Sequence, residues 1–454
     1  MPELPKDQGS RDRVAEELGR TLFVEAGAGT GKTTALVSRI VALVKSGVPI
    51  TRVAAITFTD KAAAELAERV RRELERAARR DDGYGNLSDA ECARCAAALP
   101  DLDRAAIQTL HSFAQRILSL YPLEAGLPPQ LRVTDDVEGE IAFQEHWRQF
   151  KEELLDDPSH QRPLVRAFTL GLKPGDLEVI GKAFHTNWER LAGVTLPTEA
   201  EPDPASVVFP DALDDAREEL RAKPSPAAIA ELVRLQPWAD QLRDGVARIR
   251  AAESAEERES AETDLLRLAA AVPKPKGNVG PKGVMSALGE RHRDWLDTAR
   301  RAYLGAILPR IRQFALDYAA ERRSEGRLGF QDLLVLSVEL LRTNEAARRA
   351  LHERFQRILI DEFQDTDPLQ VDLASLLAGD PAKPSEHWAE ARTEPGRLFF
   401  VGDPKQSIYR FRRADIDLYR RARGAFDSEP LALSTNFRST RTILEWVNGV
   451  FGQM

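Results

Sequence analysis

The chain has 454 residues, more than one hydrophobic core usually serves, so two or three domains are expected. Its 64 lysines and arginines stand against 72 aspartates and glutamates, a net charge of −8, which excludes a uniformly basic DNA-coating protein while leaving room for a local basic groove. Two cysteines, Cys92 and Cys95, exclude a disulfide framework or a four-cysteine metal site; no apolar run approaches the roughly 18 residues of a membrane span and no secretory signal is visible, which makes the cytoplasm the expected compartment.

In chain order, Thr21–Glu25 reads as a buried strand, followed by a glycine-rich turn and a helix over Ala35–Val44 closed by Gly47. Val53–Phe58 is a second strand, residues 60–80 a charged amphipathic helix, Ala106–Thr109 a third strand and 112–120 a third helix; Leu131–Thr134 is a candidate for one more strand. The arginine-rich run 69–76 reads as a solvated face with Glu–Arg pairs, and Cys92 and Cys95 as ordinary helix residues. Strand alternating with helix calls for crossover units and a parallel sheet. From about 138 to 325 the pattern turns helical, with proline-rich breaks, a helix over 251–271 that looks solvated, and a basic loop over Lys274–Gly283. Strands resume at Arg357–Asp361 and Arg397–Gly402, and Leu431–Thr435 looks like the opening of something new. One α/β domain interrupted by a helical insertion is the simplest account.

Ala26-Gly27-Ala28-Gly29-Thr30-Gly31-Lys32-Thr33 lies between a strand and a helix, the setting a phosphate-binding loop needs. Small residues let backbone N–H groups approach phosphate oxygens, and the helix N-terminus adds partial positive charge. Lys32 would pair with the β- and γ-phosphates and Thr33 would ligate Mg²⁺. Ala26 departs from the strict pattern, which begins with glycine. Ile358-Leu359-Ile360-Asp361-Glu362 is a hydrophobic strand ending in two carboxylates, with Asp361 placed to hold Mg²⁺ and Glu362 to orient or deprotonate the attacking water.

Further segments follow in order: Thr57–Leu66, Thr109-Leu110-His111-Ser112-Phe113, Asp361-Glu362-Phe363-Gln364-Asp365, Val401–Arg412 and Ser434-Thr435-Asn436-Phe437-Arg438-Ser439. With the phosphate loop, these make six segments that resemble, in the same order, motifs of superfamily 1 DNA helicases of the UvrD/Rep group, whose later motifs are absent here, and Phe330–Leu334 resembles the return to their first motor domain. Gly402–Arg412 and Asp365–Pro368 are closer to RecB/AddA subunits, the motors of helicase–nuclease complexes that process double-strand breaks. The resemblance anchors residues 20–137 and 326–445; the insertion carries no such motif.

The resemblance implies a RecA-like domain over 1–137 and 326–428, a helical insertion over 138–325, and the truncated start of a second RecA-like domain over 429–454. It implies ATP and Mg²⁺ as cofactors, single-stranded and duplex-end DNA as partners along with a nuclease or helicase subunit, and 3′ to 5′ translocation. Nucleotide contacts would come from Gln8, from Ala26 through Gly31, Lys32, Thr33 and Thr34, and from Phe437 and Arg438. Catalytic roles fall to Lys32, Glu362, Gln406 as sensor of the γ-phosphate, and Arg438 as a finger. DNA contacts fall to Phe58, Thr59, Thr109, His111, Tyr409, Phe411 and Arg412, since aromatic faces stack on bases and arginines follow phosphates. Phe58 also reads as a core residue, Tyr409 as a support for Phe411, and His111 as structural. A chain ending soon after a second domain begins is expected to be a weakly active or inactive fragment, with an exposed apolar face at Ile443, Leu444, Trp446, Val447 and Phe451. A small-molecule kinase or ABC-type ATPase would share the loop but not the aromatic–arginine segment. A non-hydrolysing scaffold that binds nucleotide and DNA and docks a partner is the alternative.

Overall fold

The computed structural model describes residues 5–81, 83–281, 283–407, 416–425 and 430–452. The chain divides into two compact units, Met1–Asp135 with Arg323–Met454, and Asp136–Arg322.

The first unit is built on strands β1 (Leu22–Ala26), β2 (Val53–Thr57) and β3 (Ala106–Thr109), a two-residue pair β4 (Arg132–Val133) and β5 (Arg327–Leu328), then β6 (Arg357–Ile360), β7 (Leu398–Gly402) and β8 (Pro430–Leu433). Six of these form one sheet in the order β3-β2-β6-β7-β1-β8, and every pairing is parallel. All five residues of β2 and of β7 are buried, as expected where helices cover both faces of a parallel sheet. Helices α1 (Gln8–Glu16), α2 (Lys32–Ser46), α3 (Asp60–Arg79), α4 (Asp89–Ala98) and α5 (Leu110–Leu120) belong to this unit. On α3, Ala63, Leu66, Val70, Leu74 and Ala77 recur at helical spacing and are buried, while Arg72 pairs with Glu68 at 3.4 Å and Arg76 with Glu73 at 2.8 Å on the wet side. Buried Arg39 on α2 donates to the carbonyls of Val14, Glu17 and Arg20, fastening the end of α1 to the domain.

One expectation changes here. The segment read as opening a new domain at Leu431 is instead the edge strand β8, with Val24 opposite Leu431 and Ala26 opposite Leu433. Leu431 and Leu433 are buried on the sheet, so apolar burial against β1 places the segment in the first unit. The following helix, Arg441–Phe451, exposes Ile443, Trp446, Val450 and Phe451, with Leu444 and Val447 half-buried.

The second unit is helical. Phe143, Trp147, Phe150 and Phe314 share its core, and Phe150 stacks on Phe314 at 4.5 Å. The helix expected to be solvated, Ala255–Ala270, buries Leu265, Leu266, Ala269 and even Glu262. Its charged composition misled because Glu262 has cationic partners inside the unit: Arg258 at 3.0 Å and fully buried Arg166. No helix among the described residues is long and apolar enough to cross a membrane.

Candidate functional site

The strands of the main sheet run in one direction, so their carboxyl ends share one edge, where ligands bind in open α/β sheets. β1 leads into Gly27–Gly31, β2 into Phe58 and Thr59, and β3 into Leu110 and His111. β6 leads into Asp361 and Glu362, β7 into Asp403–Gln406, and β8 into Ser434–Arg438. Motifs scattered over some 400 residues of sequence thus meet at that edge.

The phosphate loop has the geometry its sequence requires. Gly29 at φ 76° and Gly31 at φ 90° are left-handed, a conformation that favours glycine. Thr30 folds the loop on itself, its N–H and hydroxyl both donating to the Gly27 carbonyl at 3.2 and 2.8 Å. Gly31 opens α2 with no side chain capping it, which leaves the first-turn N–H groups of Lys32, Thr33 and Thr34 directed at an incoming anion. Ala26, where glycine was expected, is the last and buried residue of β1, in ordinary strand conformation.

Above the loop, the Lys32 ammonium donates to Glu362 Oε2 at 2.7 Å and reaches Gln406 Oε1 at 3.5 Å. Gln406 donates to Asp403 Oδ2 at 2.8 Å. Glu362 holds φ at 51°, a strained value for a non-glycine residue. Burial pushes the Asp361 carboxyl up to about 6, with the Glu362 charge adding to the shift and the Glu362 N–H and Lys32 opposing it. A buried carboxylate crowded by a second one is a fit place for a divalent cation, which would relieve both effects. The Thr33 hydroxyl, on the first turn of α2, is the second candidate ligand.

The turn after β8 lies directly on the phosphate loop. Asn436 Nδ2 donates to the Ala28 carbonyl at 2.7 Å and the Phe437 N–H to the Gly29 carbonyl at 2.8 Å. A Cβ at Gly29 would lie 2.7 Å from Arg438 Cβ, so Phe437 and Arg438 are brought to the loop. Two residues that sequence reading missed hold this arrangement. Asp7 accepts from the N–H groups of Ser434 and Thr435 at 2.8 and 3.1 Å. Arg11 pairs with Asp7 at 2.9 Å, donates to the Thr30 carbonyl at 2.9 Å, and lies 4.9 Å from the centre of the exposed Phe437 ring. Their only sequence signal is a place near the N-terminus, because their partners are far along the chain. Gln8, expected to read a base, donates to Asp12 of its own helix at 2.7 Å.

The expected DNA contacts divide. Phe58 is exposed, contrary to its core reading. Thr59 caps α3 by accepting from the Ala62 N–H at 3.1 Å. Thr109 is buried and caps α5, its hydroxyl within 2.9 Å of Ser112 Oγ. The His111 ring lies 5.1 Å from that of Phe330. Thr57 pairs with Thr109 across β2 and β3, so these two strand ends are neighbours on the edge. Tyr409, Phe411 and Arg412 lie outside the described residues.

A family model described as the UvrD/REP helicase N-terminal domain matches residues 7–427. Among curated relatives, a Geobacillus kaustophilus protein named as an ATP-dependent helicase/nuclease subunit is 29% identical over 99% of this chain and 40% of its own length. The proteins of the same name from Carboxydothermus hydrogenoformans and Ligilactobacillus salivarius are 27% and 26% identical, over 97% and 98% of this chain and 39% and 38% of their own lengths. The chain spans about two fifths of the length of these relatives.

Proposed function

Because the chain belongs to the UvrD/REP helicase N-terminal domain family, we propose that it is the nucleotide-hydrolysing part of a DNA helicase motor that moves 3′ to 5′ on single-stranded DNA. The observation that carries this reading is the meeting of Lys32, Glu362 and Gln406 above the phosphate loop. In the proposed reaction, the loop N–H groups and Lys32 bind the triphosphate of ATP. Thr33 and Asp361 would hold Mg²⁺, which when bound would neutralise charge building on the phosphates. Lys32 must leave Glu362 to reach a phosphate, and its departure frees that carboxylate to orient a water and take its proton. Gln406, released from Lys32 by the same movement, is then able to sense whether a γ-phosphate is present. Arg438 supplies a further positive charge from the turn after β8, and the exposed Phe437 ring offers a stacking face for the base.

Phe58 and Thr59, with Thr109 and His111 beside them, form the described part of the proposed DNA track, and Tyr409, Phe411 and Arg412 its remainder. The relatives are named as subunits of a helicase/nuclease, which supports a role at duplex ends in break repair, carried out beside a partner protein.

The test is ATP hydrolysis by the 454-residue chain with and without single-stranded DNA, with Lys32→Ala as the blank. Mg²⁺-dependent nucleotide binding that disappears in the blank, with weak or no turnover by this chain alone and DNA-stimulated turnover once it is joined to the remainder of a relative's motor, is the expected result. Lys32-dependent nucleotide binding without turnover, persisting when the chain is joined to the remainder of a relative's motor, would favour the scaffold reading instead.

A further inference from the structure

Gln364 has no part in the roles assigned above, yet it is the most completely engaged polar side chain near Glu362. It is 2% exposed. Its Oε1 accepts from the Asp403 N–H at 2.8 Å, and its Nε2 donates to Glu362 Oε2 at 2.7 Å and to Asp365 Oδ2 at 3.1 Å. Its carbonyl accepts from the Ser407 hydroxyl at 3.2 Å. Gly402 leaves room for it: a Cβ there would come within 2.7 Å of Gln364 Oε1.

The chemistry fixes the amide's orientation. Turned over, its NH₂ would face the Asp403 N–H, donor against donor, and its oxygen would face the Glu362 carboxylate, acceptor against acceptor. Only a group with an acceptor at one end and a donor at the other satisfies both neighbours. Glutamate in this place would set two carboxylates face to face, and an apolar residue would leave the Asp403 N–H without this acceptor.

The contacts close a ring. Lys32 donates to Glu362, Glu362 accepts from Gln364, Gln364 accepts from Asp403, Asp403 accepts from Gln406, and Gln406 accepts from Lys32. When Lys32 departs for a phosphate, two links of the ring open. The path through Gln364 and Asp403 then becomes the remaining tie between the carboxylate after β6 and the segment after β7 that carries Gln406.

We propose that Gln364 is a positioning residue for hydrolysis: it aims Glu362 at the attacking water and sets it relative to Gln406. This rests on the hydrolytic reading above.

The experiment compares Gln364→Glu and Gln364→Met with the unaltered chain, each joined to the remainder of a relative's motor, in single turnovers of bound Mg·ATP with single-stranded DNA. Glu362→Gln sets the floor, and the dissociation constant for Mg·ADP is measured on each. Gln364→Glu keeps the size and the acceptor for Asp403 while Gln364→Met adds no charge, and the unfolding midpoint of each variant is measured beside its rate. The expected result is a rate lowered about tenfold to a hundredfold in both variants, the scale of a lost hydrogen bond to a charged group. The ADP dissociation constant should stay within about twofold, since the amide touches no phosphate-binding group directly. Unchanged rates would overturn the proposal, and so would parallel losses of rate and ADP affinity, which mark a merely structural residue. With the chain joined to the remainder of a relative's motor, an unaltered protein already at the floor would remove the hydrolytic reading and this inference with it.

Discussion

In the helical unit, Arg166 is 1% exposed and donates to Glu259 at 2.9 Å, to Tyr303 at 3.2 Å and to Glu262. Arg162 and Arg258 complete the set, at 3.2 Å from Glu259 and 3.0 Å from Glu262. Burial opposes the Arg166 charge, but Tyr303 and Glu259 hold its pKa above the ordinary arginine value. At the edge of the sheet, Lys32 and Glu362 also form a close pair, but the glutamate is 32% exposed. One network is centred on a cation, Arg166, that is itself out of reach of any outside ligand although Glu259 and Arg162 beside it touch solvent; the other has its lysine and glutamate both within reach of one. A saturated buried pair has nothing to gain from a ligand, whereas a half-open pair has an exchangeable partner. The contrast separates charge used to build a core from charge an outside ligand can reach.

The largest expected effect tests that contrast at both ends with one kind of change. Arg166→Met leaves Glu259 and Glu262 short of a buried partner, and should destabilise the helical unit by about 3–5 kcal/mol in chemical denaturation. Lys32→Met leaves a carboxylate that water can reach, and should cost about 1 kcal/mol or less while abolishing tight nucleotide binding. Equal stability losses would erase the distinction. Two glycines sharpen it at smaller scale. A Cβ at Gly181 would run into the Trp147 ring in the core, so Gly181→Ala should cost about 1–3 kcal/mol with nucleotide affinity unchanged. Gly29 is left-handed and pressed by Arg438 and Asn436, so Gly29→Ala should instead weaken nucleotide binding by about tenfold, read by titration with a fluorescent ATP analogue.

Legibility in the sequence followed the range of the interaction. The phosphate loop was readable because its strand, glycines and helix are contiguous, and Asp361-Glu362 because a hydrophobic strand leads into it. The sheet's parallel character followed from alternation alone. β8 was misread because four residues of edge strand have no local mark of the sheet they join; only the pairing with β1, some 400 positions earlier, decides it. Ala255–Ala270 was misread because its glutamates look wet until Arg166, 96 residues before Glu262, is placed against them. Gln364 stood inside a recognised motif without an assigned role, since its acceptor side is used by Asp403 on a different strand end. Phe58 had two readings because a strand end can turn an aromatic inward or outward, and sequence period does not choose.

Asp7 carries the smallest effect and joins the two most distant parts of the site. Burial raises the cost of its charge, but the Arg11 guanidinium and the N–H groups of Thr435 and Ser434 more than offset this and hold its carboxyl well below the usual carboxylate range. Since the folded value is the depressed one, its contribution to stability is complete above the unfolded value of about 3.9 and fades as pH falls toward the folded one. Asp7→Asn keeps one acceptor oxygen for the β8 turn and loses the charge that Arg11 answers. The expected cost is about 1–2 kcal/mol at neutral pH, shrinking on acidification below about pH 4. If Asp7 serves only the fold, nucleotide affinity will not change. If it fixes the turn that brings Phe437 and Arg438 to the phosphate loop, affinity for ATP should fall a few-fold, by roughly threefold to tenfold, with the stability loss. A variant that loses stability while binding ATP as before would place the Asp7–Arg11 clasp with the buried charges of the helical unit rather than with the ring at Lys32.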